Sequence, residues 1–219
     1  RQVKKEKISQ LDMDNSLNRI MITIDYNNLS DCDIVVEAAI ENQNIKLNIF
    51  KELDNICKQS AILASNTSSI SITKIAGATN RPEQVIGMHF MNPVPIMKLV
   101  EIIKGNKTSN ETLDFIKNLS KSINKIPVEC NDSPGFVSNR ILMPLINEAA
   151  YTFMEGVASV ESIDEIMKLG MGHPMGPLKL ADLIGIDVCV SIMQVLLSGF
   201  KNDKYTICPL LIEMNKKSK

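Results

Sequence analysis

A surplus of charge is the first thing this chain lacks. Lys and Arg number 24 against 25 Asp and Glu, a net charge of -1, so no cationic excess awaits nucleic acid or an anionic membrane surface. Small molecules and other protein chains are the expected partners. Apolar runs of roughly 18 residues, the length that spans a bilayer, are absent as well. The opening stretch RQVKKEKISQLDMDNSLNRI is polar and helix-like, and a cytoplasmic address is therefore expected. The five cysteines (Cys32, Cys57, Cys130, Cys189, Cys208) never form a C-x-x-C pair. Their odd number and scatter argue against a disulfide framework and a zinc site, and point to reduced, mostly buried thiols. What is present is apolar material, 44% of 219 residues, enough to bury a core in one or two domains.

Strand and helix signals alternate through residues 1–130. CDIVVEAA is a β-branched run. NIKLNIFKELDNICK follows with Ile45, Ile49, Leu53 and Ile56 at helical spacing, then SAILAS as a buried strand, SISITKIAGAT as a short helix and QVIGMHF as another strand. That alternation predicts a parallel sheet with crossover helices, which binds ligands at the carboxyl ends of its strands. Glu41 and Asn42, the NTSS run at 66–69, and His89 all stand at such ends and are expected to converge.

From about Asn131 the texture turns helical, so residues 131–219 read as a second domain. VSNRILMPLINEAAYTFMEG places Ile141, Leu142, Leu145, Ile146, Ala149 and Phe153 on one face, and Pro144 is expected to bend or interrupt that helix unless it lies in the first turn. ESIDEIMKLG has Ser162 and Glu165 at capping-box spacing and Gly170 to end it. LKLADLIGIDVCVSIMQVLLSGF is apolar nearly all round and reads as a third helix buried at a subunit interface. The chain opens on Arg1 rather than Met and closes on MNKKSK without a closing element, as a fragment or shortened gene product would.

The run GMGHPMG, residues 170–176, imitates a dinucleotide-binding fingerprint. That fingerprint needs a strand before it and a helix after it to receive the pyrophosphate, whereas here a helix precedes and a proline intervenes. A helix stop and turn is expected instead, with His173 in a structural or interface role. Of the two histidines, the other is the candidate for chemistry. In GMHFMNPVPIMKLVEII, residues 87–103, His89 ends one strand and a turn with two prolines leads into a returning strand that carries Glu101. A carboxylate between Val100 and Ile102 is costly to bury unpaired. Strand alternation turns Lys98 to the opposite face, which leaves the imidazole as its partner. Such a pair suits a general base, because the carboxylate fixes the tautomer and stabilises the imidazolium.

ASNTSS, GMHFMNPVPIMKLVE, SPGFVSNRIL and GHPMGPLKLADLIGID, in that order between about Ile24 and Leu210, closely resemble the 3-hydroxyacyl-CoA dehydrogenase family, its short bacterial 3-hydroxybutyryl-CoA members in particular. The resemblance implies an α/β fold, a truncated Rossmann-like dinucleotide-binding domain followed by an all-α domain that forms a homodimer. It implies an NAD- or NADP-dependent oxidoreductase acting on acyl-CoA substrates, interconverting (S)-3-hydroxyacyl-CoA and 3-oxoacyl-CoA. It makes His89 the general base and Glu101 its orienting partner, and gives Ser68 and Asn139 the reacting oxygen and the thioester. Glu41, Lys46, Ser68 and Asn92 fall on positions that contact the cofactor. Without that resemblance Ser68 reads equally as a helix cap and Asn139 as a helix-start residue.

Relatives open with a strand and a G-x-G-x-x-G loop and close with a glycine-rich, aromatic tail, and neither occurs between Arg1 and Lys219. The residues present reach only the nicotinamide half of the cofactor, so weak cofactor binding and little turnover are expected of the chain as given. The alternative to an enzyme is a non-catalytic remnant that keeps the dimerising domain and a weak acyl-CoA site.

Overall fold

A computed structural model describes residues 2–217. Within the polar opening stretch, Gln10–Leu17 forms α1, closed by a capping box in which the Ser9 hydroxyl accepts from the Asp12 N–H and the Asp12 carboxylate accepts from the Ser9 N–H. There follow β1 (Ile34–Glu37), α2 (Gln43–Ile56), β2 (Ile62–Ser65), α3 (Ile72–Ala76), β3 (Val85–Phe90), β4 (Leu99–Lys104), α4 (Asn110–Ser122) and β5 (Ile126–Asn131). One sheet results, ordered β1-β2-β3-β4-β5. Its pairings are parallel except β3 with β4, which run antiparallel. Helices α2 and α3 cover one face around Phe50, Leu53, Ile72 and Ile75, and α4 covers the other through Leu113 and Ile116 against Ile86, Met88, Val100 and Ile102. Apart from the returning strand, this is the parallel sheet with crossover helices that the alternation predicts, and it is the Rossmann-like layer that the resemblance implies.

Three details of this layer differ from the sequence reading. Asn42 caps α2 by accepting from the Ile45 N–H, and the helix buries Lys46, Phe50, Leu53 and Asp54 while Ile45 stays 42% exposed. The inward face is thus one residue round from the apolar stripe, because Lys46 has a buried partner to meet. The returning strand starts at Leu99 rather than Ile96, since the N–H groups of Ile96 and Met97 donate to the Pro93 carbonyl in a turn. Helix α4 and strand β5 have no counterpart in the sequence reading. The strand contains Pro127 and is mostly exposed, so neither alternation nor apolar content marks it.

The second domain packs α5 (Ser138–Met154), α6 (Val160–Met171), α7 (Pro177–Ile184), α8 (Ile186–Phe200) and α9 (Pro209–Lys217) around one core of Met143, Ile146, Ala150, Cys189, Met193, Leu196 and Leu211. Helix α5 runs unbroken through Pro144, which lies beyond its first turn. The proline removes one hydrogen bond, to the Arg140 carbonyl, without ending the helix. Its buried face carries Met143, Asn147 and Ala150, whereas Ile141 and Phe153 are exposed. Helix α6 starts a turn earlier than expected, capped by Ser159 rather than Ser162, and ends at Gly172 (φ +69°) rather than Gly170. The expected third helix is two, bent by 99° at Gly185, whose φ of +102° only glycine adopts readily. Helix α8 buries Cys189, Ile192, Met193 and Leu196 against its own domain, while Val188 stays 41% exposed. The chain end forms α9, while Ser218 and Lys219 lie outside the described residues. Among the described residues no single helix is long and apolar enough to cross a membrane.

The GMGHPMG run is a helix stop and turn. The His173 N–H donates to the Met167 carbonyl, and the amino end of α7 is taken by the Asp164 carboxylate, which accepts from the N–H groups of Leu178 (2.8 Å) and Lys179 (2.9 Å). Nothing there is left for a phosphate.

Gly87 sets how closely β3 and β4 approach. It pairs with Ile103, and a Cβ on it would lie 2.7 Å from Ile103 Cβ. Gly87→Ala is therefore expected to destabilise the protein by about 1–3 kcal/mol, the usual cost of overpacking a core. Urea unfolding measures it, and a loss below about 0.5 kcal/mol, the ordinary scatter of neutral surface changes, would contradict the tight pairing.

Candidate active site

Antiparallel pairing sets His89 directly across from Glu101. The ring Nδ1 lies 2.8 Å from Glu101 Oε2, and the two residues are 7% and 4% exposed. A charged carboxylate only accepts, so Nδ1 carries the hydrogen and, in the neutral ring, Nε2 keeps its lone pair. Glu101 accepts further from the Ser138 hydroxyl (2.7 Å, Oε2) and the Ser138 N–H (3.0 Å, Oε1). Burial pushes its carboxyl up. The hydrogen bonds from His89 and from Ser138, with the His89 charge, outweigh burial and hold it below the ordinary value of 4.5. Cys130 is pushed up to about 11 by burial, with the Glu101 charge adding to it, so its thiol stays protonated and is no rival nucleophile.

The turn between the domains supports the ring. Phe136 lies with its centroid 6.0 Å from that of His89, tilted by 58°. It is buried and adopts φ +50° directly after Gly135 at φ +72°, an uncommon backbone for a non-glycine residue. At Gly135 a Cβ would stand 2.6 Å from Leu196 Cδ2, which explains the glycine of SPGF.

The other strand ends converge beside this pair. Glu41 Oε1 accepts from the Thr67 hydroxyl (2.6 Å), the N–H groups of Ser68 and Ser69 (3.0 Å each) and the Ser69 hydroxyl (3.0 Å). Asn66 Oδ1 accepts from the Phe90 N–H at 2.8 Å, tying the loop to the residue after His89. Asn139, one residue beyond Ser138, donates from Nδ2 to the Ser68 carbonyl at 2.9 Å. A cleft of about 410 Å³ opens here, lined by Ala39, Glu41, Asn66, Ser68 and Ser69 from the sheet side and by Asp187, Val188, Ser191 and Ile192 of α8.

Residues 1–133 match the family described as 3-hydroxyacyl-CoA dehydrogenase, NAD binding domain, and residues 135–219 match its C-terminal domain. The chain belongs to the 3-hydroxyacyl-CoA dehydrogenase family. It is 58% identical over 198 residues to a 3-hydroxybutyryl-CoA dehydrogenase of Clostridioides difficile, covering 90% of this chain and 70% of that one. A probable 3-hydroxybutyryl-CoA dehydrogenase of Bacillus subtilis is 56% identical over 211 residues, covering 96% and 74%. The crystal structure of (S)-3-hydroxybutyryl-CoA dehydrogenase from Ralstonia eutropha superposes with a TM-score of 0.96 at 49% identity, covering 99% of this chain and 77% of that one. Membership makes the protein an oxidoreductase of the 3-hydroxyacyl-CoA type that uses an NAD-type cofactor.

Within this dehydrogenase the residues singled out from the sequence fall into three settings. His89, Glu101, Ser68 and Asn139 gather at the domain join. Glu41 lines the cleft with its side chain 39% exposed, and Asn92 is exposed in the turn after β3. Lys46 differs: it is 1% exposed, and its ammonium is engaged by Glu37 Oε1 (2.7 Å) and the Ala39 carbonyl (3.1 Å), with Glu41 Oε2 at 3.5 Å. It is buried to neutralise Glu37, which also accepts from the Ser65 hydroxyl at 2.6 Å, and it reaches the cleft through Glu41. Ser138 was missed from sequence. Its signal was a chemical demand, since a buried Glu101 needs donors for both oxygens and one histidine nitrogen supplies a single bond.

A depressed carboxyl contributes stability above its unfolded-state pKa and loses it as the pH falls through the lower folded-state value. The difference in unfolding free energy between the wild-type protein and Glu101→Gln is therefore expected to be full at about pH 7 and to shrink below the ordinary value of 4.5. Urea titrations stepped downward in pH read it directly. A difference that is constant, or that grows on acidification, would contradict the assignment.

Proposed function

We propose that the protein interconverts (S)-3-hydroxybutyryl-CoA and acetoacetyl-CoA, with His89 as the general base and Glu101 as its orienting partner. The observation that carries this reading is the 2.8 Å contact between His89 Nδ1 and Glu101, which leaves Nε2 as the ring's free acceptor. In the oxidation direction Nε2 takes the 3-hydroxyl proton, and the imidazolium that forms is stabilised by the carboxylate behind it. In reduction the same nitrogen returns the proton. Ser68 is assigned to the reacting oxygen, because its hydroxyl has no partner among the described residues while its N–H and carbonyl are pinned by Glu41 and Asn139. Asn139 holds the thioester end and, through Ser68, the geometry between the two domains.

The cleft suits the nicotinamide half of NAD or NADP. Glu41 offers a part-exposed carboxylate to ribose hydroxyls, Ser68 offers a free hydroxyl, and Asn92 stands exposed at the neighbouring strand end. Lys46 acts there by holding Glu41. When bound, the cofactor accepts or donates the hydride at the substrate's third carbon. Holding the reactants in the cleft between the sheet and α8 supplies the orientation that such a transfer requires.

Two further parts of the reading rest on the surface and the thiols. A homodimer through the helical domain is favoured by exposed apolar side chains on its outer face, among them Ile141, Val157, Ile166, Leu169 and Leu183. Val157 and Ile166 line a groove of about 380 Å³ between α5 and α6, and the proposed interface includes that face. The cytoplasmic address rests on the five free cysteines, which a reducing compartment keeps so.

The test is acetoacetyl-CoA reduction followed by loss of absorbance, with NADH and NADPH side by side to assign the cofactor. The assay uses a form with a family glycine-loop segment fused ahead of Arg1. His89→Ala is expected to lower kcat by about 10²–10⁴-fold, the range of general acid–base groups, and Glu101→Gln to impair it as well. Near-normal turnover in the His89 variant would overturn the assignment.

A further inference from the structure

We infer that Ser138 is a positioning residue for the general base: its hydroxyl and its backbone N–H clamp both oxygens of Glu101, so that the carboxylate presents one fixed edge to His89. The inference rests on the proposed roles of His89 and Glu101 and adds a residue that neither membership of the family nor the sequence motifs assign.

The geometry is a two-point hold. The Ser138 hydroxyl donates to Oε2 at 2.7 Å, the oxygen that also meets His89 Nδ1, and the Ser138 N–H donates to Oε1 at 3.0 Å. The last torsion of a glutamate is broad and nearly two-fold, so a single bond from His89 would let the carboxylate plane turn. With a Ser138 donor on each oxygen it is fixed, and with it the direction in which the imidazole is pulled.

The same contact serves helix α5. Ser138 is its first residue, and Val137 at the N-cap has no side chain able to cap it. The amino-terminal N–H groups of a helix need partners and favour negative charge. Glu101 answers one of them from the other domain. The Ser138 hydroxyl makes no bond within its own helix among the described residues, so its one partner is the carboxylate. Asn139, next in sequence, donates to the Ser68 carbonyl. Two adjacent residues in one helical turn thus fasten the base pair on β3 and β4 and the oxygen-binding loop after β2, and a change in the seating of the helical domain is felt by both.

The test follows the Glu101 carboxyl by carbon-13 NMR in the 219-residue chain, with Glu101→Gln to assign its signal. Ser138→Ala is expected to move the Glu101 titration to higher pH, since a bond to the charged form is lost. Ser138→Cys, similar in shape and a weaker donor, is expected to move it the same way and serves if the alanine variant does not fold. Ser138→Thr keeps a hydroxyl and is expected to leave the titration in place. A Glu101 titration unchanged in the alanine or cysteine variant, or one that shifts in the threonine variant as in alanine, would overturn the inference. Because the readout is the carboxyl itself, it is independent of whether His89 proves to be the base; near-normal turnover of His89→Ala beside a shifted Glu101 would remove the proposed mechanism and leave the clamp standing.

Discussion

The fold around the site answers to one constraint: a charged carboxylate lies 4% exposed between two strands. Moving such a group out of water costs several kcal/mol even after relaxation, and only well-placed donors offset it. Glu101 receives those donors from His89 and Ser138. The antiparallel register of β3 and β4 puts the histidine opposite, and the turn before β4 produces that register in a sheet whose other pairings are parallel. The domain join then brings the first turn of α5 onto the same carboxylate. Charge burial, strand order and domain docking are in this sense one requirement.

A second buried network runs in parallel at the neighbouring strand ends. Lys46 and Glu37 pair at 2.7 Å with almost no exposure, and the Ser65 hydroxyl completes Glu37. Glu41, near the same ammonium, draws together the Thr67 and Ser69 hydroxyls and the Ser68 and Ser69 N–H groups. One network fixes His89 against Glu101 and the other shapes the loop that carries Ser68. Asn139 joins them. Rigid polar networks of this kind position reacting groups because each member is satisfied only in one arrangement.

Parts of this were legible in the sequence for physical reasons that the rest lacked. His89 and Glu101 could be paired because strand periodicity assigns a face and a lone carboxylate in an apolar run demands a partner. The convergence of Glu41, the NTSS loop and His89 followed from the rule for strand ends, which depends only on element order. Ser138 was hidden because its partner lies 37 residues earlier in another domain, and serine at a helix start is ordinary. The break at Gly185 was hidden because hydropathy runs continuously across it, and only the backbone angle reveals the turn. Ser162 carries the fuller capping signature, with Glu165 three residues on, yet the helix is capped one turn earlier by Ser159, which accepts from the Ser162 N–H. Lys46 read as a ligand contact from the resemblance, whereas its burial depends on Glu37, which nothing local announces.

The proposed chemistry depends on Glu101 holding the His89 ring with its proton on Nδ1, which leaves Nε2 as the acceptor. With two histidines in the chain, a long-range proton–nitrogen correlation spectrum separates the rings, and a His173→Gln variant assigns them. Neutral His89 is expected to show a protonated Nδ1 and an unprotonated Nε2, and the preference is expected to weaken in Glu101→Gln. A ring protonated on Nε2, or one averaging freely between tautomers in the wild-type protein, would contradict it.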